Sequence, residues 1–176
     1  LKAKEGLALL NGTTVMTSAA AHVVDQADYL AQLMVSLVAF CSEVLLGTND
    51  SFEPVIQAIK GHPGQIETAR LLRLSSAGSS LIQDLDALRE GIRRNNRGAD
   101  STVELEHSIQ TPYSLRCAPQ GLGPALESVD QARVVIEREM NSVNDNPLID
   151  PSDGRIYHTG NFYGGHVARA MDGLKI

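Results

Sequence analysis

Apolar positions recur at helical intervals along most of this chain, the pattern of helices that each turn one face to a core. From Val15 to about Leu46 the apolar surface is broad, with Thr13 or Thr14 placed to cap its start and Gly47 to stop its end. Asp50 to Ile59 reads as a short second helix, and Gly61-His62-Pro63-Gly64 as a turn. Helical spacing resumes over Ile66 to Leu74 and again over Leu81 to Ile92, where Leu81, Leu85, Leu88 and Ile92 share a face; Ser75 to Ser80 is a break. Asn95 to Asp100 is polar enough for an exposed loop and leads into Val103 to Ile109. A further helix is predicted from about Gly123 to Met140, with Leu126, Val129, Val134 and Ile136 as core residues. Asn141 to Pro147 ends it, because short Asx side chains compete for backbone bonds and Pro147 disfavours a helical Asn146. Asp153-Gly154, between Leu148-Ile149 and Ile156-Tyr157, is the one hairpin signal, and a last helix is expected from after Asn161 to Ile176. The predicted fold class is therefore mainly α, a long-helix bundle with one short β-hairpin, forming a single helical segment over residues 1–176.

Composition narrows the function classes. Tryptophan is absent and aromatics are few, so the core must be built from Leu, Val, Ile, Ala and Met. Fifteen Lys and Arg against 21 Asp and Glu give a net charge of -6, and no basic cluster extends beyond Arg93, Arg94 and Arg97, which argues against nucleic acid as a partner. Cys41 and Cys117 are too few for a disulfide framework and fit a reducing, cytoplasmic setting. The uncharged run Tyr29 to Ser42 is too short to cross a bilayer and carries Gln32 and Ser36, so it reads as a buried helix, with no membrane partner. The broad apolar face from Val15 to Leu46 is more than a lone chain covers, which predicts self-association.

The chemistry concentrates in Gln110-Thr111-Pro112-Tyr113-Ser114-Leu115-Arg116. Pro112 suits a first helical position, and Thr111 beside it can cap the turn through its hydroxyl. Pro119 stops that turn from running on through Ala118, so Tyr113 and Arg116 share one brief turn and one side of it. An amide, a phenol and a guanidinium so placed can hold a carboxylate; a proline-punctuated connector with a surface arginine meets the same spacing. Asn11-Gly12, Asn144-Asp145-Asn146-Pro147 and Gly160-Asn161-Phe162 are amides beside turn residues. Asp145, Asp150 and Asp153 fit no calcium-loop spacing, and no metal site is expected.

In combination these segments are more telling. Lys4-Glu5-Gly6-Leu7-Ala8-Leu9-Leu10-Asn11-Gly12-Thr13, His62-Pro63-Gly64-Gln65, Gln110 to Arg116, Asn141 to Ile149 and Gly160-Asn161-Phe162 together resemble, in content and order, the aromatic amino acid ammonia-lyase and aminomutase family. The resemblance implies a helical homotetramer with shared active sites that eliminates ammonia from histidine, phenylalanine or tyrosine, a carbon-nitrogen lyase. An alternative is a 2,3-aminomutase that shifts the amine to the neighbouring carbon, and a second is a non-catalytic oligomerising relative. It also implies a methylidene-imidazolone prosthetic group made from Ala-Ser-Gly. That tripeptide does not occur in this chain; Ser76-Ala77-Gly78 has another order and follows the Asn11 motif, where the family's triplet precedes it. The chain is thus expected to be the central part of a larger lyase subunit, without the N-terminal electrophile-forming portion and the C-terminal portion, and inactive by itself.

By the same resemblance Asn11 would hydrogen-bond near the electrophile and substrate, and Tyr113 would assist the electrophile or proton traffic. Arg116 would clamp the substrate carboxylate, Gln110 would orient its neighbours, Phe162 would line the aromatic pocket, and Asn146 would touch the electrophile. Thr111 stands where the family has an aspartate, with either able to cap the turn. Thr159 stands where a glycine is frequent, and Tyr163-Gly164-Gly165 departs from the histidine-lyase pattern. His158 and His166 are placed to touch substrate, though solvent-facing roles suit them better.

Overall fold

The structure, a computed structural model, describes residues 1–96 and 110–175. Its helices are α1 (Glu5–Asn11), α2 (Thr14–Val44), α3 (Pro54–Lys60), α4 (Pro63–Ser75), α5 (Leu85–Asn95), α6 (Tyr113–Arg116), α7 (Ala118–Met140) and α8 (Gly165–Leu174), with β1 (Leu148–Ile149) and β2 (Ile156–Tyr157) between α7 and α8. The mainly helical reading and the hairpin both hold. Leu148 pairs with Tyr157 and Ile149 with Ile156, antiparallel, and Gly154 takes the positive φ of 72° that the tight turn requires. The Arg97 to Asp100 end of the predicted loop, Val103 to Ile109, and Ile176 lie outside the described residues.

The chain forms two compact units: Leu1–Tyr29 together with the chain from Ser128 onward, and Leu30–Glu127. In the first, Ala20 and Val24 of α2 meet Val129, Ala132 and Ile136 of α7 and Val167 of α8. The three-then-four spacing of Val129, Ala132 and Ile136 is the buried stripe of α7. Val134, expected in that stripe, falls on the opposite side and is 52% exposed. An ion pair between Arg133 and Asp28, 2.9 Å, flanks this core. In the second unit Val35 and Ala39 of α2 pack on Phe52, Leu72 of α4 and Ala118 of α7.

Several boundaries moved for local reasons. The long helix ends at Val44 in a Schellman turn: Leu46 N–H donates to Glu43 O at 3.1 Å and Gly47 N–H to Ser42 O at 2.7 Å. The left-handed residue is Leu46, φ 50°, while Gly47, the expected stop, lies one step later. A Cβ on Gly47 would sit 3.2 Å from Ser42 O, so this glycine serves close approach. The single helix expected over Asp50 to Ile59 is a 3-10 turn, Asp50–Phe52, followed by α3, because Pro54 holds Glu53 extended at ψ 138°. Helix α5 starts at Leu85 and not at Leu81, since Asp84 caps it by accepting from Ala87 N–H at 2.9 Å. Helix α7 begins five residues before the expected Gly123, at Ala118, with Pro119 in its first turn, and continues through Pro124. Helix α8 begins at Gly165, later than the expected start after Asn161.

The helix expected to be buried presents much of its surface to solvent: Tyr29, Leu30, Leu33, Met34, Leu37, Phe40 and Val44 are all exposed within this chain, Phe40 by 62%. The longer stretch Glu5–Val44, which contains the uncharged Tyr29 to Ser42 run, is long and apolar enough by composition to cross a membrane, with mean hydropathy 1.3 over its most apolar window. Asp25, Asp28 and Glu43 interrupt it, and such charges are rare inside a bilayer.

Where α4 meets α7 the approach is set by two glycines. An added Cβ on Gly64 would press into the Gly123 carbonyl, and one on Gly123 would lie 2.6 Å from Gln65 N. Gly64 N–H, free at the helix start, donates to Glu127 Oε1 at 2.7 Å. Gln65 beside it donates to Gln57 Oε1 at 2.7 Å, and Gln57 to Ser51 O at 2.8 Å. The His62-Pro63-Gly64-Gln65 segment is therefore a packing device.

Candidate functional site

Within the Leu30–Glu127 unit the Gln110 to Arg116 segment is moored from below. Thr111 is buried, and its Oγ1 accepts from Thr48 N–H at 2.9 Å and lies 2.9 Å from Thr48 Oγ1. The hydroxyl expected to cap α6 is thus spent on the loop after α2, and α6 has no side-chain cap; its N-cap is Pro112, one residue later than the expected Thr111. The loop is itself braced, since Gln83 N–H donates to Gly47 O at 2.8 Å and Asn49 N–H to Gln83 O at 3.2 Å.

On this base Tyr113 and Arg116 share one side of the turn, as their spacing requires: the Arg116 guanidinium carbon lies 5.3 Å from the Tyr113 ring centroid, a cation–π contact. Tyr113 is 73% exposed. Arg116 and Gln110 line one cavity of about 290 Å³ with Thr48, Asp50, Arg89 and Gln120. Among the described residues Arg116 has no carboxylate partner, so its five donors remain for a ligand. The Gln120 side-chain oxygen in the same wall is buried without a hydrogen-bond partner among the described residues.

In the other unit the remaining motifs form one network. Asp145 is 3% exposed and sits at φ 110°. Its Oδ1 accepts from Asn11 Nδ2 at 3.0 Å and its Oδ2 from Lys4 Nζ at 2.6 Å. Asn144 Oδ1 accepts from Thr13 N–H at 3.1 Å, and a Cβ on Gly12 would stand 2.9 Å from that oxygen, so only glycine lets the two segments close. Thr13 Oγ1, expected as a helix cap, donates to Glu139 at 2.6 Å. Asn146 Oδ1 accepts from Thr159 N–H at 2.6 Å, and Asn161 Nδ2 donates to Val143 O at 3.2 Å. Lys4, then Asn11, then the Asn146 N–H hold the Asp145 carboxyl down from 3.8 to about 2.

The structure thus joins Asn11 and Asn146 through their shared neighbour Asp145, while Phe162 stands apart and exposed in the turn closed by Tyr163 N–H to Gly160 O, 2.8 Å. A second cavity, about 640 Å³, is lined by Tyr163, Asn161, His166 and Arg169 but not by Phe162. His158 and His166 are exposed. Asp150 and Asp153 bond to Ser152 and Arg155 of their own turn, and among the described residues no group of His, Cys, Asp and Glu is placed to hold a metal. Sequence reasoning missed Lys4 and Asp145 as a pair. Both stand inside motifs it had marked, but a contact between residues 141 positions apart leaves no local signal.

A family model described as aromatic amino acid lyase matches residues 1–176. The chain belongs to that family. It is 43% identical, over 99% of its length and 29% of the relative's, to a phenylalanine ammonia-lyase of Nostoc punctiforme. To a histidine ammonia-lyase of Anaeromyxobacter dehalogenans it is 42% identical over all of its length and 32% of the relative's. Among solved structures, a tyrosine aminomutase from Streptomyces globisporus superposes with a TM-score of 0.90 at 35% identity, covering 99% of this chain and 33% of that one. This aromatic amino acid lyase family member therefore spans about a third of the length of the relatives it matches.

Proposed function

We propose that this chain is the central portion of an aromatic amino acid ammonia-lyase and supplies groups that hold the amino acid substrate. The observation that carries the reading is Arg116, stacked on Tyr113 beside a cavity and without a carboxylate partner among the described residues. A guanidinium so prepared grips a substrate carboxylate through paired hydrogen bonds, worth about 1.5 to 3 kcal/mol when shielded. Gln110 in the same cavity wall orients its neighbours, and Tyr113, against the Arg116 guanidinium, assists the electrophile or proton traffic. By family resemblance Asn11 and Asn146 serve beside the electrophile and Phe162 lines the aromatic pocket; in this chain the three belong to the other compact unit.

The family's methylidene-imidazolone group does not arise from residues of this chain. Ser76-Ala77-Gly78, its nearest analogue, closes α4, with Ser76 Oγ bonded to Leu72 O at 2.8 Å and Gly78 at φ 79°. The amides of Asn11 and Asn146 fit as neighbours of such a group, being uncharged polar side chains held by Asp145 and by Thr159 N–H. In the complete protein that group supplies an electron sink for removal of a weakly acidic proton. What this chain contributes is position: a fixed carboxylate brings the carbon-bound proton to its base, and closure against water strengthens each polar contact.

The exposed apolar face of α2 supports assembly into a homo-oligomer, a tetramer by family resemblance, and the two free cysteines suit a reducing cytoplasm. The likeness to the tyrosine aminomutase favours a second reading, migration of the amine to the neighbouring carbon, which begins with the same carboxylate clamp.

Thermal unfolding of the complete protein with and without a cinnamate-like acid tests the reading. Ligand at about a hundred times its Kd stabilises by about 2.7 kcal/mol. The midpoint is expected to rise, and an unchanged midpoint at high ligand would remove the proposed pocket and favour a non-catalytic relative.

A further inference from the structure

A side-chain amide is nearly symmetric in shape, so its partner decides which end faces which way. For Asn11 the partner is Asp145, whose ionised carboxylate only accepts hydrogen bonds and so must meet the NH2 end. Asp145 is itself immobilised. It is buried, its second oxygen is held by Lys4, and its backbone takes a positive φ that an aspartate tolerates and most residues do not. The adjoining Asn144 holds Thr13 N–H, two residues past Asn11, so backbone and side chain of the Asn11 turn are gripped from the same strand of residues. The Asn11 side-chain oxygen accepts no bond from any described residue.

We infer that Asp145 is a positioning residue for Asn11: its carboxylate, anchored by Lys4, fixes the Asn11 amide with its carbonyl oxygen directed to the ligand. Lys4 completes the relay as the countercharge that lets a buried carboxylate serve this purpose. The inference rests on the reading of Asn11 as a residue that meets the substrate. Asn in place of Asp145 would keep the shape but present either amide end to Asn11, and the fixed orientation would be lost.

The test is a double-mutant cycle in the complete protein, read by calorimetry as the Kd of D-phenylalanine, D-tyrosine or D-histidine, whose ammonium group can donate to the Asn11 side-chain oxygen, with the thermal midpoint followed separately. Asn11→Ala and Asp145→Asn are each expected to weaken binding by about tenfold, and the double variant to bind no more weakly than Asn11→Ala alone. A merely structural Asp145 would lower the midpoint in both backgrounds without this cancellation. Should Asp145→Asn not fold, Lys4→Met replaces it in the cycle, with a smaller loss of the same sign that also vanishes beside Asn11→Ala. Losses that multiply, or an Asp145 variant that binds as wild type while Asn11→Ala does not, would overturn the inference and leave the proposed function standing. If Asn11→Ala itself binds as wild type, the reading of Asn11 falls, and the inference with it.

Discussion

Replacing Arg116 by alanine in the complete protein is expected to raise the KM for the amino acid, and the Kd for its unsaturated acid, by about 10- to 100-fold. The reason is geometric. Thr111, bonded twice to Thr48, holds the start of α6 in place, and one turn later the guanidinium lies over the Tyr113 ring. The side chain is therefore pre-ordered for a planar, two-point grip on a carboxylate, and among the described residues it forms no ion pair, the Asp50 carboxyl in the same cavity wall accepting from Thr48 Oγ1 at 2.6 Å. Lysine at this position restores the charge but neither the paired donors nor the flat stacking surface, so Arg116→Lys should recover only part of the loss. Because the carboxylate is held alike in ground and transition state, most of the change belongs in KM, with a smaller fall in kcat from looser placement. Steady-state kinetics together with ligand titration checks this. A variant with unaltered KM and Kd would mean that Arg116 faces something other than substrate.

The second large effect concerns stability. Gly123→Ala, and independently Gly64→Ala, should destabilise the protein by about 1 to 3 kcal/mol, because each adds a methyl group where two helix backbones already touch. The sign is what makes the prediction sharp. Glycine to alanine inside a helix ordinarily stabilises by about 0.5 to 1 kcal/mol, and Gly121 in the same helix, with nothing within 4 Å of an added Cβ, should follow that rule. The two destabilising changes press on one contact, so the double variant should cost less than their sum. Denaturant unfolding of the three single variants and the double settles it; stabilisation by Gly123→Ala would mean that α4 and α7 lie farther apart than described.

The sequence was most informative where a signal is local. Helical spacing located most of the helices, Asp153-Gly154 located the hairpin, and the prolines at 112 and 119 bounded the short turn that carries Tyr113 and Arg116. Errors came where a side chain with two possible uses took the distant one. Thr13 and Thr111 both read as caps, yet Thr13 donates to Glu139 and Thr111 pairs with Thr48. Val134 illustrates the limit of counting apolar residues: only Ala132, one of the smaller side chains, completes the buried stripe of α7. Leu46 shows a different failure, since an ordinary residue occupies the left-handed position that glycine usually marks.

The site divides along the same line. Each amide-bearing motif was visible as a motif, and the family likeness gave the residues their expected roles. The grouping of Lys4, Asn11 and Asp145 was not visible, because the pairing arises only when the start of the chain folds against the end of α7. The His62 to Gln65 motif shows the reverse: a strong family signature whose work in this chain is to seat one helix on another.

Product analysis of the complete protein supplied with phenylalanine, tyrosine or histidine separates a lyase or aminomutase from a non-catalytic relative. For at least one of them the expected product is either ammonia with an equal amount of the α,β-unsaturated acid or the β-amino acid isomer, and that product is lost with Arg116→Ala. Quantitative recovery of all three amino acids unchanged, from folded protein, would contradict the proposed function.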